Sequence, residues 1–232
     1  MSFFKTVVIS LGGSLIVPEE IDVNFLKNFK ALVLGLVKHK QRVILVTGGG
    51  RVCRKYIQSA KVLNSKVTAK ELDWMGIKAT KVNAELVRIM FNSQAYFKVL
   101  DRPEEKLTKQ KSRPIIVAGG WRPGASSDNM AVNLAKAFKA KVVVNLTNID
   151  YVYDCDPNKF KTAKPIKQIN WRNFRKLVGS KWDPGLNAPF DPIASQLAEK
   201  LNLTVAILNG QKLNNVKNYL LDKKFVGTLI KN

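Results

Sequence analysis

The chain has 232 residues, 46% of them hydrophobic, and its 39 Lys and Arg residues against 17 Asp and Glu residues give a formal net charge of +22. This length predicts one α/β domain over residues 1–232, and the absence of an apolar run of about 18 residues argues against a membrane span. The positive charge favours polyanionic partners, whether nucleotides, phosphates or nucleic acids, but it does not distinguish among them.

Five apolar, β-rich runs predict strands that are buried on both faces. They are 5–11 ("KTVVISL"), 42–46 ("RVILV"), 113–119 ("RPIIVAG"), 140–146 ("AKVVVNL") and 203–208 ("LTVAIL"). Segments with helical spacing lie between them, over 22–40, 54–63, 71–91, 127–138 and 191–201. Asp22 and Asp191 are expected to cap the first and last helices, with Pro192 at the first position of the latter. This alternation predicts a three-layer αβα sandwich around a mainly parallel sheet.

Glycine clusters follow three of the predicted strands. They are Gly12 and Gly13 after the first strand, 48–50 after the second, and Gly119, Gly120 and Gly124 after the third. Ligands of open α/β sheets bind beyond the carboxyl ends of the strands, where glycine lets backbone N–H groups approach a bulky anion. A tight turn explains any single cluster better, but three at one sheet edge predict one extended phosphate site. Their spacing matches neither the Walker A motif nor the dinucleotide-binding fingerprint.

Five segments together resemble the amino acid kinase family, and within it the archaeal-type UMP kinases. They are "VISLGGSLIV", "VTGGGRVCRKYI", "LDWMGIKATKVNAELV", "AGGWRPGASSDNMAVNLA" and "NLTNIDYVYDCDPNKFKTAKPI". The resemblance covers nearly the whole chain. It implies an αβα sandwich, transfer of the γ-phosphoryl group of ATP to UMP with Mg²⁺, assembly as a hexamer, and a place in pyrimidine biosynthesis.

The same resemblance implies which residues form the site. On the ATP side it places Gly13, Ser14, Gly50, Arg54, Thr147, Asn148, Tyr153 and Asp156. On the UMP side it places Gly49, Asp73, Trp121, Arg122, Pro123, Gly124, Ala125, Ser126 and Ser127. Asp128 matches an aspartate that organises catalytic groups in relatives, and it forms the predicted catalytic pair with Arg54. No residue is predicted to bind a metal ion directly.

The residues themselves suit this chemistry. An acceptor phosphate is already largely ionised at pH 7, so transfer to it requires no general base. Catalysis then consists of aligning two anions and offsetting their repulsion with backbone amides, basic side chains and Mg²⁺. Arg54 lies one helical turn after the triple glycine and is favoured for this task over a role as a solvated helix charge. His39 is expected at a helix C-terminus and not in catalysis.

Several predicted site residues also have purely structural explanations. Asp73 and Asp128 both suit helix capping, and Asp156 precedes Pro157 in a predicted turn. Tyr153 fits core packing as well as it fits adenine stacking. For these residues the resemblance, and not the local pattern, favours a functional role.

Among the positions that depart from the family pattern, two bear on the charge of the site and on its backbone geometry. Ser10 stands where many relatives have a lysine, an absence that archaeal-type UMP kinases share, so the compensating charge falls to Arg54, Arg122 or another basic residue. Tyr151 stands where relatives usually have glycine, and it brings a large side chain to a turn that favours a positive φ.

Three other functions are compatible with the fold. They are another family kinase with a small-acid or phosphate-monoester acceptor, an oxometallate storage protein, and a non-catalytic basic protein that binds nucleotides, or nucleic acid through charge only. Cys53 and Cys155 fit no zinc-binding spacing, and the single histidine speaks against metal storage. The first residues lack the features of a secretory signal, so a cytoplasmic protein is expected.

Overall fold

The computed structural model describes residues 5–105, 113–157, 159–179 and 188–232. The strands of the central sheet are β1 (Lys5–Leu11), β2 (Gln41–Thr47), β3 (Ile115–Ala118), β4 (Val142–Thr147), β7 (Gln168–Ile169), β8 (Thr204–Asn209) and β9 (Thr228–Ile230). Their order across the sheet is β3-β2-β1-β4-β8-β9-β7. β5 (Val152–Tyr153) and β6 (Pro165–Ile166) form a separate antiparallel pair. The five predicted strands are confirmed, with their ends shifted by no more than two residues.

Strand direction divides the central sheet into two parts. β3, β2, β1, β4 and β8 run parallel to one another, with β1 paired to β2 along its whole length. β9 pairs antiparallel with β8, and β7 pairs parallel with β9. β9 and β7 therefore run opposite to the other five strands at one edge, and the mainly parallel sheet is confirmed.

Eight α-helices surround the sheet in the described ranges. They are α1 (Gly13–Ile16), α2 (Val23–Lys38), α3 (Gly50–Leu63), α4 (Ala69–Phe91), α5 (Ser127–Ala137), α6 (Trp171–Val178), α7 (Pro192–Lys200) and α8 (Leu213–Leu220). Asp22 caps α2 by accepting the Phe25 N–H at 2.8 Å, and Asp191 caps α7, as expected. None of these helices combines the length and apolar character needed to cross a membrane.

Two hydrophobic layers sandwich the sheet because strand side chains alternate between its faces. Val7, Ile9 and Leu11 of β1 pack in the layer that contains residues of α2, α4 and α8. Val8 packs in the opposite layer, with residues of α5, α6 and α7. This arrangement confirms the predicted three-layer αβα sandwich.

The strand order also locates a crevice. From β1 the chain builds β2 and then β3 on one side, and it later returns to place β4 on the other side of β1. Ligands of open α/β sheets bind at such a reversal, beyond the carboxyl ends of the strands. A ligand is therefore expected to bind at the turns after β1 and β4.

Candidate active site

The turns after β1 and β2 lie in direct backbone contact. The Gly48 N–H donates to the Leu11 carbonyl oxygen at 2.9 Å. A Cβ atom on Gly13 would lie 2.0 Å from the Gly50 nitrogen, so position 13 admits no side chain. Gly50 has a φ of +69°, a conformation that glycine adopts without strain. The first two predicted glycine clusters thus form one continuous backbone surface at the sheet edge, and α3 begins on it.

Arg54 of α3 points back to this surface. Its Nη2 donates to the Ser14 hydroxyl oxygen at 3.4 Å, which links α3 to the turn after β1. The neighbouring basic residues face elsewhere, because Arg51 and Lys55 both form ion pairs with Glu19. The structure therefore brings Arg54 together with Ser14, Gly13 and Gly50 of the predicted ATP site.

The third glycine cluster is bound to α4. The Gly120 N–H donates to Thr80 Oγ1 at 2.6 Å, and the Gly124 N–H donates to Asp73 Oδ2 at 2.7 Å. These two amides are used within the protein, so the prediction that this cluster adds N–H groups to the phosphate site is wrong for them. The alternative of Asp73 as a helix cap is also wrong, because Thr68 caps α4.

A cavity of about 160 Å³ lies between α4 and the loop that carries this cluster. Its lining residues are Cys53, Ile57, Leu72, Asp73, Gly76, Ile77, Thr80, Gly120, Ala125, Ser126 and Ser127. Four of the residues predicted on the UMP side, Asp73, Ala125, Ser126 and Ser127, are among them. Gly49 is a close neighbour, since a Cβ atom there would lie 2.6 Å from Cys53 Cβ.

The first part of the same loop does not line the cavity. Trp121, Arg122, Pro123 and Gly124 are absent from its walls. The Arg122 guanidinium instead lies over the Trp121 indole, 4.2 Å from the ring centroid, in a cation–π contact. The structure thus separates the predicted UMP residues into a lining half and an outer half.

Asp128, in the first turn of α5, lies in a part-buried polar contact. The Ser10 hydroxyl donates to Asp128 Oδ1 at 3.0 Å, and the Asp191 N–H donates to Oδ2 at 3.1 Å. The possible capping role of Asp128 is wrong, because Ser126 caps α5 by accepting the Asn129 N–H. Ser10, at the position of the lysine found in many relatives, therefore holds Asp128 with a neutral hydroxyl.

The charge of Asp128 is poorly compensated. Burial, followed by the nearby Asp191 carboxylate, raises the pKa of Asp128 to about 7. Burial also raises the pKa of Asp191, which is 4% exposed. No ion pair in the described ranges includes either residue. A cation bound beside these two carboxyl groups would therefore stabilise their ionised forms.

Thr147 and Asn148 lie at the end of β4, on the other side of the crevice. The Gly12 N–H donates to the Leu146 carbonyl oxygen at 3.0 Å, which joins the end of β4 to the turn after β1. Thr147 Oγ1 accepts the Ile149 N–H at 3.0 Å, and Asn148 is exposed. These residues are therefore close to the turn that contains Gly13.

Tyr153 and Asp156 lie on the β5–β6 hairpin that follows. Tyr153 is half-buried and pairs with Pro165, and no hydrogen bond in the described part of the chain joins it to Gly13. The Asp156 carbonyl oxygen accepts the Phe160 N–H at 2.9 Å, so the predicted turn is confirmed. Tyr151 is not among the described non-glycine residues with positive φ, so this turn accommodates its side chain without left-handed backbone.

Two residues that contact the glycine turns, Asn83 and Thr80, were not predicted from the sequence because both lie within a helix. Asn83 Nδ2 donates to the Gly48 carbonyl oxygen at 2.8 Å, and Thr80 holds Gly120. Both are buried, on a helix whose other buried residues include Ile77, Ala84 and Val87. A polar residue at a buried position of an amphipathic helix is the signal that identifies them, because such a group requires a hydrogen-bond partner.

Comparison with known proteins shows that the whole chain is similar to the amino acid kinases. The sequence profile described as "Amino acid kinase family" matches residues 5–209. The uridylate kinase of Thermoplasma volcanium is 34% identical over 97% of each chain, and that of Hyperthermus butylicus is 31% identical over the same shares.

Solved structures agree with the sequence comparison. The crystal structure of uridylate kinase from Archaeoglobus fulgidus superimposes with a TM-score of 0.82 at 30% identity, covering 97% of this chain and 99% of that chain. The UMP kinase from Ureaplasma parvum gives 0.80 with complete coverage of both chains, and at 21% identity it supports the fold alone.

Proposed function

The chain belongs to the amino acid kinase family, and from this membership we propose that it transfers the γ-phosphoryl group of ATP to UMP, giving ADP and UDP. The relatives and structures described above are all named uridylate or UMP kinases, which favours this function over the family's other acceptors, storage and nucleic-acid binding. The observation that carries the proposal is the direct contact of the glycine turns after β1 and β2, with Arg54 over them and a cavity beside them.

ATP would occupy the crevice at the reversal of strand order. Its phosphates would contact Gly13, Ser14, Gly50 and Arg54, because the first turn of a helix and its preceding glycine turn present free N–H groups to anions. Its adenine and ribose would meet the residues that follow β4, namely Thr147, Asn148, Tyr153 and Asp156. The contact of the β1 and β4 turns supports this placement.

UMP would occupy the cavity between α4 and the loop after β3. Gly49, which packs against Cys53 of the cavity wall, would lie between this cavity and the ATP phosphates. Ser126 and Ser127 both line the cavity, and the Ser127 hydroxyl would be available to the acceptor. Asp73 retains Oδ1 for a ribose hydroxyl, because the Gly124 N–H uses Oδ2. The outer half of the loop, with Trp121, Arg122, Pro123 and Gly124, would contact the exposed part of the nucleotide.

The residues present support transfer without a general base. The acceptor phosphate is the nucleophile and is largely ionised at neutral pH. Arg54 would offset the repulsion between the two anions and stabilise the charge on the transferring group. Asp128 would organise the charged groups around the reaction from its fixed position between Ser10 and Asp191.

The donor set fits Mg²⁺ that arrives with ATP. Mg²⁺ in phosphoryl-transfer sites is held by substrate phosphates and one or two carboxylates. Among the described residues no group of three potential metal ligands occurs, but Asp128 and Asp191 form an uncompensated carboxyl pair near the crevice. When bound, Mg²⁺ would neutralise phosphate charge. Asp128 would be the residue that binds the ion.

Assembly as a hexamer also belongs to the proposal. Helices α3 and α4 each present exposed apolar side chains seven residues apart, which places them on one face of the helix. They are Tyr56 and Leu63 on α3, and Met75, Val82 and Ile89 on α4. Subunit contact would remove this apolar surface from water. One domain, a cytoplasmic location and a role in pyrimidine biosynthesis remain predictions.

The proposal is tested by measuring ADP release with ATP and Mg²⁺ across a panel of acceptors. UMP is expected to give the largest kcat/KM, ahead of CMP, dUMP and acetylglutamate. UDP should form in equal amount to ADP, which separates transfer from ATP hydrolysis. Greatest turnover with a non-nucleotide acceptor would defeat the assignment.

A further inference from the structure

Thr80 of α4 carries a buried hydroxyl with two partners. Its Oγ1 donates to the Ile77 carbonyl oxygen at 2.7 Å, and it accepts the Gly120 N–H at 2.6 Å. A hydroxyl has one proton, which the helix uses here, so its lone pairs are available to the loop. Thr80 therefore provides the acceptor that the buried Gly120 amide requires.

A second contact between the loop and α4, exposed to solvent, lies two helical turns away. Asp73 Oδ2 accepts the Gly124 N–H at 2.7 Å. Asp73 and Thr80 are seven residues apart, so they share one face of α4 and are separated by about 10 Å along its axis. The loop from Gly120 to Gly124 is thus fixed to α4 at both ends.

The loop also approaches the helix so closely that a side chain on Gly119 or Gly120 would be crowded. A Cβ atom on Gly120 would lie 3.0 Å from Thr80 Oγ1, and one on Gly119 would lie 3.2 Å from the Lys81 nitrogen. From the other side, Thr47 Oγ1 at the end of β2 donates to the Thr80 carbonyl oxygen at 2.8 Å. Thr80 therefore connects the ends of β2 and β3 through α4.

We infer that Thr80 is a positioning residue of the acceptor site, whose hydrogen bond to the Gly120 N–H sets the width of the cavity between α4 and the loop. Thr80 and Gly120 both line that cavity. The inference rests on the proposed function only in naming UMP as the occupant. Without the hydroxyl, the Gly120 amide is left unpaired and buried, and the loop moves away from α4 so that water can reach it.

Steady-state kinetics separate this role from a general structural one. Thr80→Val keeps the shape of the side chain but removes the acceptor, and it should raise the KM for UMP at least about tenfold, the effect expected of an unpaired buried amide. The KM for ATP should stay within about twofold, since the ATP side lies beyond the β1 turn. Thr80→Ser keeps the hydroxyl and should restore the wild-type KM for UMP.

Thr228→Val is the matched control. Thr228 on β9 is also buried, and its hydroxyl accepts the Val152 N–H and donates to the Ile166 carbonyl oxygen. Its loss removes an equivalent pair of hydrogen bonds outside the acceptor cavity, so the KM for UMP should not change. A similar rise in both valine variants would overturn the inference.

Hydrogen–deuterium exchange tests the contact without any substrate. In the ligand-free protein, amides of residues 119–127 should exchange faster in Thr80→Val than in wild type, with Thr80→Ser unchanged. If Thr80→Val does not fold, Thr80→Cys offers a weak acceptor of similar shape and should give an intermediate increase. Equal exchange in wild type and variant would overturn the inference, whereas a wild type that does not phosphorylate UMP would overturn only the proposed function.

Discussion

Arg54 differs from its basic neighbours on α3 in what its side chain faces. Its guanidinium reaches Ser14, whereas Lys55 pairs with Glu19 on the surface. Arg54→Ala is expected to lower kcat at least about tenfold, because it removes positive charge beside the transferring phosphoryl group. Lys55→Ala removes the same charge from the next position and should leave kcat within about twofold. Equal kcat values for the two variants would show that Arg54 is a solvated helix charge without a catalytic role.

Asp128 is expected to make the folded protein less stable as the pH rises. Its pKa is raised from an ordinary 3.8 to about 7, so the folded state favours the protonated form. The stability from this group is fully present below about pH 4 and is lost as the pH rises through about 7. The asparagine in Asp128→Asn cannot ionise. The Tm of this variant minus the Tm of wild type should therefore increase as the pH rises from 5 to 8.5.

Thermal unfolding of the ligand-free protein measures this difference. Asp22→Asn is the control, because it removes a carboxylate from a helix cap where asparagine caps equally well. Its Tm should differ from wild type by a constant amount over the same pH range. Parallel curves for Asp128→Asn and wild type would contradict the buried carboxyl pair.

The sequence predicted residues that bind their near neighbours in the chain. It did not predict contacts between residues that are distant in the chain. Asp22 and Asp191 were predictable as caps because a cap depends on the next three residues. The contact of Ser10 with Asp128 joins residues 118 positions apart. No local pattern records such a contact. The capping role considered for Asp128 was wrong for a different reason, because Ser126 caps α5.

At the scale of elements, the site depends on two turns that touch through their backbones. A Cβ atom on Gly13 would lie 2.0 Å from the Gly50 nitrogen, whereas one on Gly35 in α2 would meet nothing within 4 Å. Gly13→Ala should therefore lower the free energy of unfolding by more than about 2 kcal/mol, because backbone atoms must move apart.

Gly35→Ala is the matched substitution and should raise the free energy of unfolding by up to about 1 kcal/mol, the helix-propensity gain of alanine over glycine. Chemical denaturation of both variants measures the difference. A Gly13→Ala protein as stable as wild type would show that the two turns are not in contact.

The elements themselves were predictable where the pattern was long. The five predicted strands and the five longer helices were confirmed because buried strands and amphipathic helices carry strong periodic signals. Strands β5, β6, β7 and β9, of two or three residues each, were not predicted. Helices α1, α6 and α8 have eight residues or fewer, too few to show a helical period. The turns of the first two glycine clusters lie together at one sheet edge, as predicted. The partners of the third cluster were not predictable, because they are side chains of the distant helix α4.

At the scale of the whole molecule, the exposed apolar faces of α3 and α4 predict association. The wild-type protein should elute in light-scattering chromatography as a hexamer of the 26.0 kDa chain. Leu63→Glu combined with Val82→Glu should yield smaller species, because each introduces a charge into a surface that assembly would bury. Val23→Glu, at the first turn of α2, adds the same charge to an exposed apolar residue elsewhere and should leave the mass unchanged.

The central claim is that the ATP crevice and the acceptor cavity meet at the glycine turns after β1 and β2. Equilibrium competition with a dinucleotide in which adenosine and uridine are joined through a chain of phosphates tests it most directly. One molecule of this compound per chain is expected to displace both ATP and UMP, and to bind more tightly than either. Displacement of one nucleotide while the other stays bound would show that the two sites do not meet.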